Sequence, residues 1–268
     1  MFSIVILTLN EEKALPDCLA STKFSNDVVV LDSGSTDRTI DIARQAGARV
    51  LTRQFDTFAG QRNYAQQGIE FRNPWVFHLD ADERLTPAVV SECSSLTTRM
   101  DLDGFRLAPQ MIFKGRWIRH CTDYPAYQAR FVRAPAFRFI QVGHGQREDQ
   151  QMRMENLKSS YLHDLSIYGT DSWIEKHRRY AKGEAQALVQ DRGTPFLGNL
   201  FSADPITRRR AVKRLSFELP FRPALRFLYQ YGLRGGFLDG PQGLEYCRLL
   251  ARYESFIARE IKLIQGSE

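Results

Sequence analysis

Short apolar runs alternate with amphipathic stretches through the N-terminal third of the chain. Runs rich in β-branched and aliphatic side chains predict strands at residues 3–9, 28–31, 49–51 and 75–79. The amphipathic stretches between them predict helices at residues 14–22, 39–46 and 59–67. This alternation predicts an α/β fold, in which helices flank both faces of a largely parallel sheet.

Later apolar runs extend this sheet and then give way to helices. Residues 103–107 and 128–133 predict two further strands, which would make the sheet mixed. Residues 173–190 and 244–264 have a helical pattern, so the last third of the chain is expected to be helical.

Polar side chains follow three of the predicted strands. They are Thr8, Asn10 and Glu11 after the first strand, Asp32, Ser33 and Ser35 after the second, and Asp80 and Asp82 after the fourth. In sheets of this kind ligands bind beyond the carboxyl ends of the strands. We therefore expect the three groups to lie at one edge of the sheet and to form one site.

Asp80 and Asp82 lie two residues apart, so in an extended backbone their carboxylates project to the same side. Such a pair can hold a hard divalent cation, which prefers oxygen ligands and keeps positions open for phosphate oxygens. The alternative is a solvated acidic turn that leads into a helix capped by Thr86 and Pro87.

Composition is typical of a globular protein, with 43% hydrophobic and 25% charged residues among 268. No apolar run approaches the roughly 20 residues that span a bilayer, and the N-terminus lacks the pattern of a signal peptide. The four cysteines, at positions 18, 93, 121 and 247, are scattered without zinc-site spacing, so reduced cytosolic thiols are expected.

The net charge of +6 is concentrated near the C-terminus and invites a nucleic-acid-binding hypothesis. That hypothesis leaves three acidic strand ends unexplained, and we expect no nucleic-acid partner. A nucleotidyltransferase is a second alternative, but residues 10–13, Asn-Glu-Glu-Lys, are not the glycine-rich basic loop that it would need. P-loop and dinucleotide-binding fingerprints are likewise absent from the sequence.

Four motifs occur in a fixed order, at residues 8–12 (TLNEE), 30–39 (VLDSGSTDRT), 60–65 (GQRNYA) and 78–83 (HLDADE). Together they resemble glycosyltransferase family 2, the inverting enzymes of GT-A fold, and in particular its lipopolysaccharide-core β-1,4-glucosyltransferase-like branch. The resemblance implies a GT-A catalytic domain over residues 1–165, followed by a helical region over residues 166–268. Its nucleotide-sugar-binding half would be residues 1–87 and its acceptor half residues 88–165.

The resemblance implies a role for each of the strand-end residues. Asp32 would accept the N3–H of uracil, Glu11 would bind the ribose, and Arg62 would pair with the diphosphate. Asp82 would ligate Mg²⁺ or Mn²⁺, with Asp80 as a second ligand or nearer the sugar, and His163 resembles a strand-end metal or phosphate contact. Thr8, Asn10 and Ser33 would shape the wall of this site. For His163, a structural histidine in the core is the alternative.

An inverting transfer needs a base that deprotonates the acceptor hydroxyl. The family carries a carboxylate for this purpose, often in a His-Glu pair, whereas this chain has His144 followed by glycine and Glu148 four residues later. Glu148 is the first candidate, Asp149 and Asp123 come behind it, and His144 is either a base or an orienting group. A solvated acidic turn and a structural histidine are the alternatives.

The C-terminal third carries a positive and aromatic surface. Residues 201–240 hold eight basic and three acidic side chains, a net charge of +5, beside an aromatic and aliphatic stripe. This pattern suits an interfacial helix on an anionic bilayer, although a helix packed on the domain with a solvated arginine face is an alternative. We expect a cytoplasmic enzyme, peripheral on the inner membrane face, that transfers a sugar from a nucleotide-sugar donor, UDP-linked in our expectation, to a saccharide or lipid-linked acceptor in lipopolysaccharide or cell-surface glycan synthesis.

Overall fold

The structure is a computed structural model that describes residues 1–142, 145–190, 197–202, 207–208, 211 and 221–266. Its strands are β1 Ser3–Thr8, β2 Val28–Asp32, β3 Arg49–Thr52, β4 Trp75–Asp80, β5 Glu83–Arg84, β6 Gly104–Leu107, β7 Gln110–Phe113, β8 Arg116–Trp117, β9 Gln128–Arg133, β10 Phe139–Val142, β11 Gly145–Glu148, β12 Met154–Asn156 and β13 Leu162–Asp164. Its α-helices are α1 Leu15–Ala20, α2 Thr39–Gln45, α3 Phe58–Gly68, α4 Pro87–Ser95, α5 Gly169–Gln190, α6 Arg222–Phe227 and α7 Gly240–Gln265. Shorter helical turns lie at Leu197–Phe201, Leu228–Leu233 and Gly236–Asp239.

A seven-stranded sheet in the order β12-β6-β9-β4-β1-β2-β3 forms the centre of the fold. Strand β1 pairs in parallel with both β2 and β4, and β2 pairs in parallel with β3. Strand β9 runs antiparallel to both β4 and β6. The mixed α/β sheet predicted from the sequence is therefore confirmed.

Strand alternation sends side chains to two apolar layers. On one face Ile4, Phe77 and Phe131 lie in the main core, and on the other face Val5 and Val76 pack with residues of α3. Because side chains alternate along a strand, Asp80 lies on the same face as Val76, which is the face that α3 covers.

Two helices that border the predicted site begin at capped residues. The Thr57 hydroxyl accepts a hydrogen bond from the Gly60 amide at the start of α3, and Thr86 accepts one from Val89 at the start of α4. Pro87 occupies the first helical position of α4, as its sequence predicts. These caps fix where the chain turns after β3 and β5.

The chain divides into two compact units. The first unit comprises residues 1–112 and 123–167, and the second comprises residues 113–122 and 168–268. The sequence predicts that residues 113–122 lie in the α/β domain, whereas in the structure they belong to the second unit. Among the residues that the structure describes, no helix is both long enough and apolar enough to cross a membrane.

Hydrogen bonds to Asp239 connect residues 113–122 to the rest of the second unit. Its buried carboxylate accepts hydrogen bonds from the backbone amides of His120 and Cys121 and from His120 Nδ1, each at 2.8 Å. Burial alone would raise the pKa of Asp239, but the hydrogen bonds from His120 and Cys121 lower it below its ordinary value.

This lowered pKa predicts that acid weakens the second unit. The unfolded state takes up the proton at a higher pH than the folded state does, so the stabilisation by Asp239 is present above the unfolded pKa of about 3.9 and is lost as the pH falls below it. Asp239→Asn should therefore lower the thermal unfolding midpoint at pH 6, and the gap from the wild type should shrink towards pH 3. This prediction would be contradicted if the difference between the unfolding midpoints of the wild type and Asp239→Asn did not change with pH. It would also be contradicted if Asp41→Asn, a control at an exposed position, showed the same pH dependence as Asp239→Asn.

Candidate active site

The register of the sheet brings the three polar strand ends together. Thr8 at the end of β1 pairs with Asp32 on β2, and Leu7 pairs with Asp80 on β4. The strands are parallel, so all three carboxyl ends open on the same edge. The three groups therefore lie on neighbouring strands, in the order Asp80, Thr8, Asp32.

Asp32 organises the turn that follows β2. It is fully buried, and one carboxylate oxygen accepts the amides of Gly34 and Ser35 at 2.9 and 2.7 Å. The other oxygen accepts the hydroxyls of Thr8 at 2.8 Å and Ser35 at 2.5 Å. A carboxylate offers about four acceptor positions, so those of Asp32 are occupied from within the chain.

The loop after β1 is bound to the loop after β2. Asn10 has a left-handed backbone with φ of 58°, and its Oδ1 accepts the amide of Thr36 at 2.8 Å. The Asn10 amide donates to Ser35 Oγ at 2.8 Å, and the Glu11 amide donates to Thr39 Oγ1 at 2.7 Å. These bonds place Asn10 and Glu11 beside the Asp32 turn, where the sequence analysis expected them.

Two arginines hold Asp80. Arg62 Nη2 on α3 lies 2.7 Å from Oδ1, and Arg130 Nη2 on β9 lies 3.0 Å from Oδ2. Burial alone would raise the pKa of Asp80, but the charges of Arg130 and Arg62 lower it below its ordinary value. Both oxygens are therefore engaged, which makes Asp80 a poorer metal ligand than Asp82.

The buried side chain of Arg62 contacts Asp80 from the interior of the protein. Its side chain is only 1% exposed, and its Nε and Nη1 groups have no hydrogen-bond partner among the described residues. The sequence predicts that Arg62 pairs directly with a diphosphate. In the structure its guanidinium contacts Asp80 instead.

A buried network around Arg130 was not identified from the sequence. Arg130 Nη2 lies 2.6 Å from Glu83 Oε1, and Arg130 Nε donates to the Tyr161 hydroxyl at 3.1 Å. Glu83 also accepts the Asp80 amide at 2.9 Å, so it fixes the backbone of the acidic turn. Desolvation raises the pKa of Glu83 above its ordinary value, against the charge of Arg130. The sequence feature that could have indicated this network is Arg130 itself, an arginine in the middle of the predicted strand 128–133.

Asp82 lies against His163. His163 on β13 pairs with Glu83 of β5 in the sheet register, which brings its Nε2 to 3.3 Å from Asp82 Oδ2. Burial alone would lower the pKa of His163, but the carboxylate of Asp82, with help from Glu83, raises it to about 9. Of the three side chains proposed as metal ligands, Asp82 and His163 are adjacent, and Asp80 is turned towards the arginines.

This donor set fits a divalent ion that is shared with a substrate. Among the residues that the structure describes, no group of three or more His, Cys, Asp or Glu side chains is placed to hold a metal. Magnesium is commonly bound through one or two carboxylates, together with substrate phosphates and water. One carboxylate and one imidazole, as in Asp82 and His163, are compatible with such a site when the ion displaces the proton that Asp82 stabilises on His163.

Glu148 and Asp149 lie at the end of the hairpin of β10 and β11, which Asn63 of α3 binds through both backbone groups of Phe139, whereas Asp123 lies between β8 and β9. Glu148 is half-buried, and its Oε1 lies 2.5 Å from Arg106 Nε on β6. Asp149 accepts the Gln151 amide at 2.9 Å and so stabilises a turn. His144 lies outside the described residues.

Comparison with known proteins gives the family. Residues 3–121 match the model of Glycosyl transferase family 2. The lipopolysaccharide core biosynthesis glycosyltransferase LpsC of Rhizobium meliloti is 29% identical over 267 residues, which cover 93% of this chain and 90% of that protein. An uncharacterized glycosyltransferase of Rickettsia typhi is 35% identical over 91 residues, which cover 34% of this chain and 30% of that protein.

Among solved structures, residues 1–349 of Staphylococcus aureus TarS in complex with UDP-GlcNAc match all of this chain and 92% of that one, at 15% identity and a TM-score of 0.45. A likeness at this level carries no argument about activity. The motifs of residues 8–12, 30–39, 60–65 and 78–83 all lie within the span that matches the family model. Residues 3–121 therefore form a glycosyltransferase family 2 domain, and the protein is a glycosyltransferase.

Proposed function

We propose that this enzyme transfers a hexose, with inversion, from a UDP-linked donor to a saccharide or lipid-linked acceptor, in a reaction that requires Mg²⁺ or Mn²⁺. The observation that carries this proposal is the Asp82–His163 pair beside the arginine-held Asp80, on the edge that also bears Asp32. The name of the Rhizobium meliloti relative supports a role in lipopolysaccharide or cell-surface glycan synthesis.

Asp82 and His163 would hold the metal, which supplies positive charge that stabilises the departing nucleoside diphosphate. Asp80, oriented by Arg62 and Arg130, faces the ribose or the donor sugar. Glu11 would bind the ribose from the neighbouring strand end. Asp32 would accept the uracil N3–H in place of the Ser35 hydroxyl, which can rotate away without moving the backbone.

Glu148 would take the proton from the acceptor hydroxyl. Arg106 fixes the carboxylate at 2.5 Å, and β6 lies two strands from β4 in the sheet. Adjacent strands are about 4.8 Å apart, so the strand that anchors Glu148 through Arg106 lies roughly 10 Å from the strand that carries Asp80.

A screen of nucleotide sugars by thermal shift, with Mn²⁺ and with a chelator, tests this function directly. A ligand that binds only the native state raises its stability, by about 2.7 kcal/mol at a hundred times its Kd. We expect UDP-sugars to raise the unfolding temperature only when metal is present, and the best of them to release UDP when acceptor is added. Equal stabilisation in chelator, or none by any UDP-sugar, would contradict the proposal.

We further infer that the second unit rests on an anionic membrane surface and keeps this cytoplasmic enzyme on the inner membrane face. Its described residues expose several large apolar side chains close together in sequence. They are Phe221, Leu225, Leu228, Leu233, Phe237 and Leu238. Arg226 and Arg234 lie among them, whereas most of the arginine-rich run 208–214 lies outside the described residues. Apolar side chains beside arginines suit the interface of an anionic bilayer.

The double substitution Leu228→Asp/Leu233→Asp should reduce binding to phosphatidylcholine vesicles that contain phosphatidylglycerol. Both side chains are more than 60% exposed. The substitutions therefore add negative charge where the membrane would lie and should change the stability of the fold little. Sedimentation with vesicles measures the effect. The matched control is Leu263→Asp on α7, which is 55% exposed; equal losses in both proteins would overturn the membrane assignment.

A further inference from the structure

Exposed apolar side chains flank the Asp32 turn on both sides. Strand β2 lies between β1 and β3 in the sheet, and each of these neighbours leads into an exposed apolar group. Leu9 follows β1 and is 49% exposed, whereas Phe55 and Phe58 follow β3 and are 43% and 39% exposed. The proposed roles of the polar strand-end residues make no use of these side chains.

The two phenylalanines form a pair where the chain after β3 enters α3. Their ring centroids lie 5.2 Å apart at an interplanar angle of 74°, an edge-to-face contact. Both Arg53 Nη groups bind the Asp56 carboxylate, at 2.9 and 2.6 Å, across the residues that carry Phe55. A Cβ at Gly60 would overlap that carboxylate, so a larger residue at position 60 would displace the Asp56 side chain.

Hydrogen bonds join this loop to the Asp32 turn. The Arg53 amide donates to the Asp32 carbonyl at 2.9 Å. Gln61 Nε2 donates to Ser33 Oγ at 2.9 Å and to the Arg53 carbonyl at 3.0 Å. Phe58 lies one helical turn before Gln61 and therefore on the same side of α3. The aromatic pair thus borders the turn that the proposed function assigns to the base of the nucleotide.

We propose that Phe55 and Phe58 form an aromatic wall against which the nucleobase of the donor stacks, with Leu9 on its other side. This inference rests on the proposed function. The acceptor positions of Asp32 are already occupied within the chain. Hydrogen bonds to Asp32 alone would therefore bind the nucleobase weakly. The exposed rings of Phe55 and Phe58, beside the Arg53–Asp56 ion pair, provide an apolar surface on which the base can stack.

The test compares UDP with inorganic pyrophosphate, which lacks the base, by calorimetry in the presence of Mn²⁺. Stacking of a base on an aromatic side chain corresponds to roughly five- to a hundredfold in affinity. Phe55→Ala and Phe58→Ala should therefore weaken UDP by about tenfold or more and leave pyrophosphate unchanged. Phe55→Tyr and Phe58→Tyr should retain affinity for UDP, and Leu51→Ala, an exposed apolar control on β3, should bind both ligands as the wild type does.

The outcomes separate the two proposals. A wild-type protein that fails to bind UDP overturns both of them. A wild type that binds UDP, with alanine variants that bind it equally well, overturns only the aromatic wall. Alanine variants that lose UDP and pyrophosphate by the same factor also overturn the wall, because the loss would then come from the loop or the metal site. A raised acceptor KM with unchanged UDP affinity would assign the pair to the acceptor instead.

Discussion

Asp82→Ala should lower kcat for sugar transfer by about a hundred- to a thousandfold and leave the fold intact. Asp82 supplies the only carboxylate in the proposed pair of metal-holding side chains, and loss of one group that stabilises developing charge costs about this much in rate. Its side chain is partly exposed, so its removal leaves no cavity in the core. Loss of its charge should also lower the pKa of His163, which Asp82 raises.

Steady-state rates at saturating Mn²⁺, with circular dichroism and thermal unfolding as checks on the fold, measure the effect. Asp82→Asn separates the charge from the size of the side chain and should be nearly as inactive as the alanine variant. Asp41→Asn, on the exposed side of α2, is the matched control and should retain full activity. An Asp82→Ala protein that keeps its activity with metal present would rule out the metal role.

The sequence was sufficient to predict the part of the fold that is built from local patterns. Strands β1, β2 and β4 are apolar runs that end in polar residues, and the parallel arrangement of their ends follows from the helices between them. The family resemblance also implied different roles for Asp80 and Asp82, and these roles remain a prediction. The contacts of Arg62 and Arg130 with Asp80 support the assignment of the metal to Asp82.

Contacts between distant segments could not be predicted in this way. Strand β13 has only three residues and no periodicity to detect, yet its pairing with β5 is what sets His163 against Asp82. Asp239 binds His120, which lies 119 positions earlier in the chain, and no local pattern around either residue indicates the partner. The same limit applies to the proposed base, since the contact of Glu148 with Arg106 depends on how the hairpin of β10 and β11 folds over α3.

Arg130 is the clearest case of a residue whose role depends on tertiary pairing. The strand at residues 128–133 was predicted, but the surroundings of its arginine follow from the antiparallel pairing with β4, in which Val132 lies opposite Val76. That register sets the guanidinium beside the acidic turn. It is 3% exposed and lies between two carboxylates and a tyrosine hydroxyl.

Arg130→Met should therefore destabilise the first unit by about 3–5 kcal/mol, because removal of one partner leaves a buried charge without compensation. Urea unfolding should show a lower midpoint with little change in slope. The matched control is Arg133→Met on the same strand. Its partner Asp103 keeps a second arginine, Arg153 at 3.1 Å, so the loss there should be under about 1 kcal/mol.

The origin of the loss can be assigned with a second substitution at Glu83. Gln in place of Glu83 removes the buried charge, so Arg130→Met/Glu83→Gln should be more stable than Arg130→Met alone. Acid should act in the same direction, because the charge of Arg130 lowers the pKa of Glu83 and its loss should raise that pKa further, so the folded variant should bind the proton more tightly than the folded wild type does. The deficit of Arg130→Met should therefore shrink as the pH is lowered from 8 to 5, and the deficit of the double variant should change less. A double variant less stable than the single one would show that Arg130 contributes through packing and its bond to Tyr161 rather than through charge.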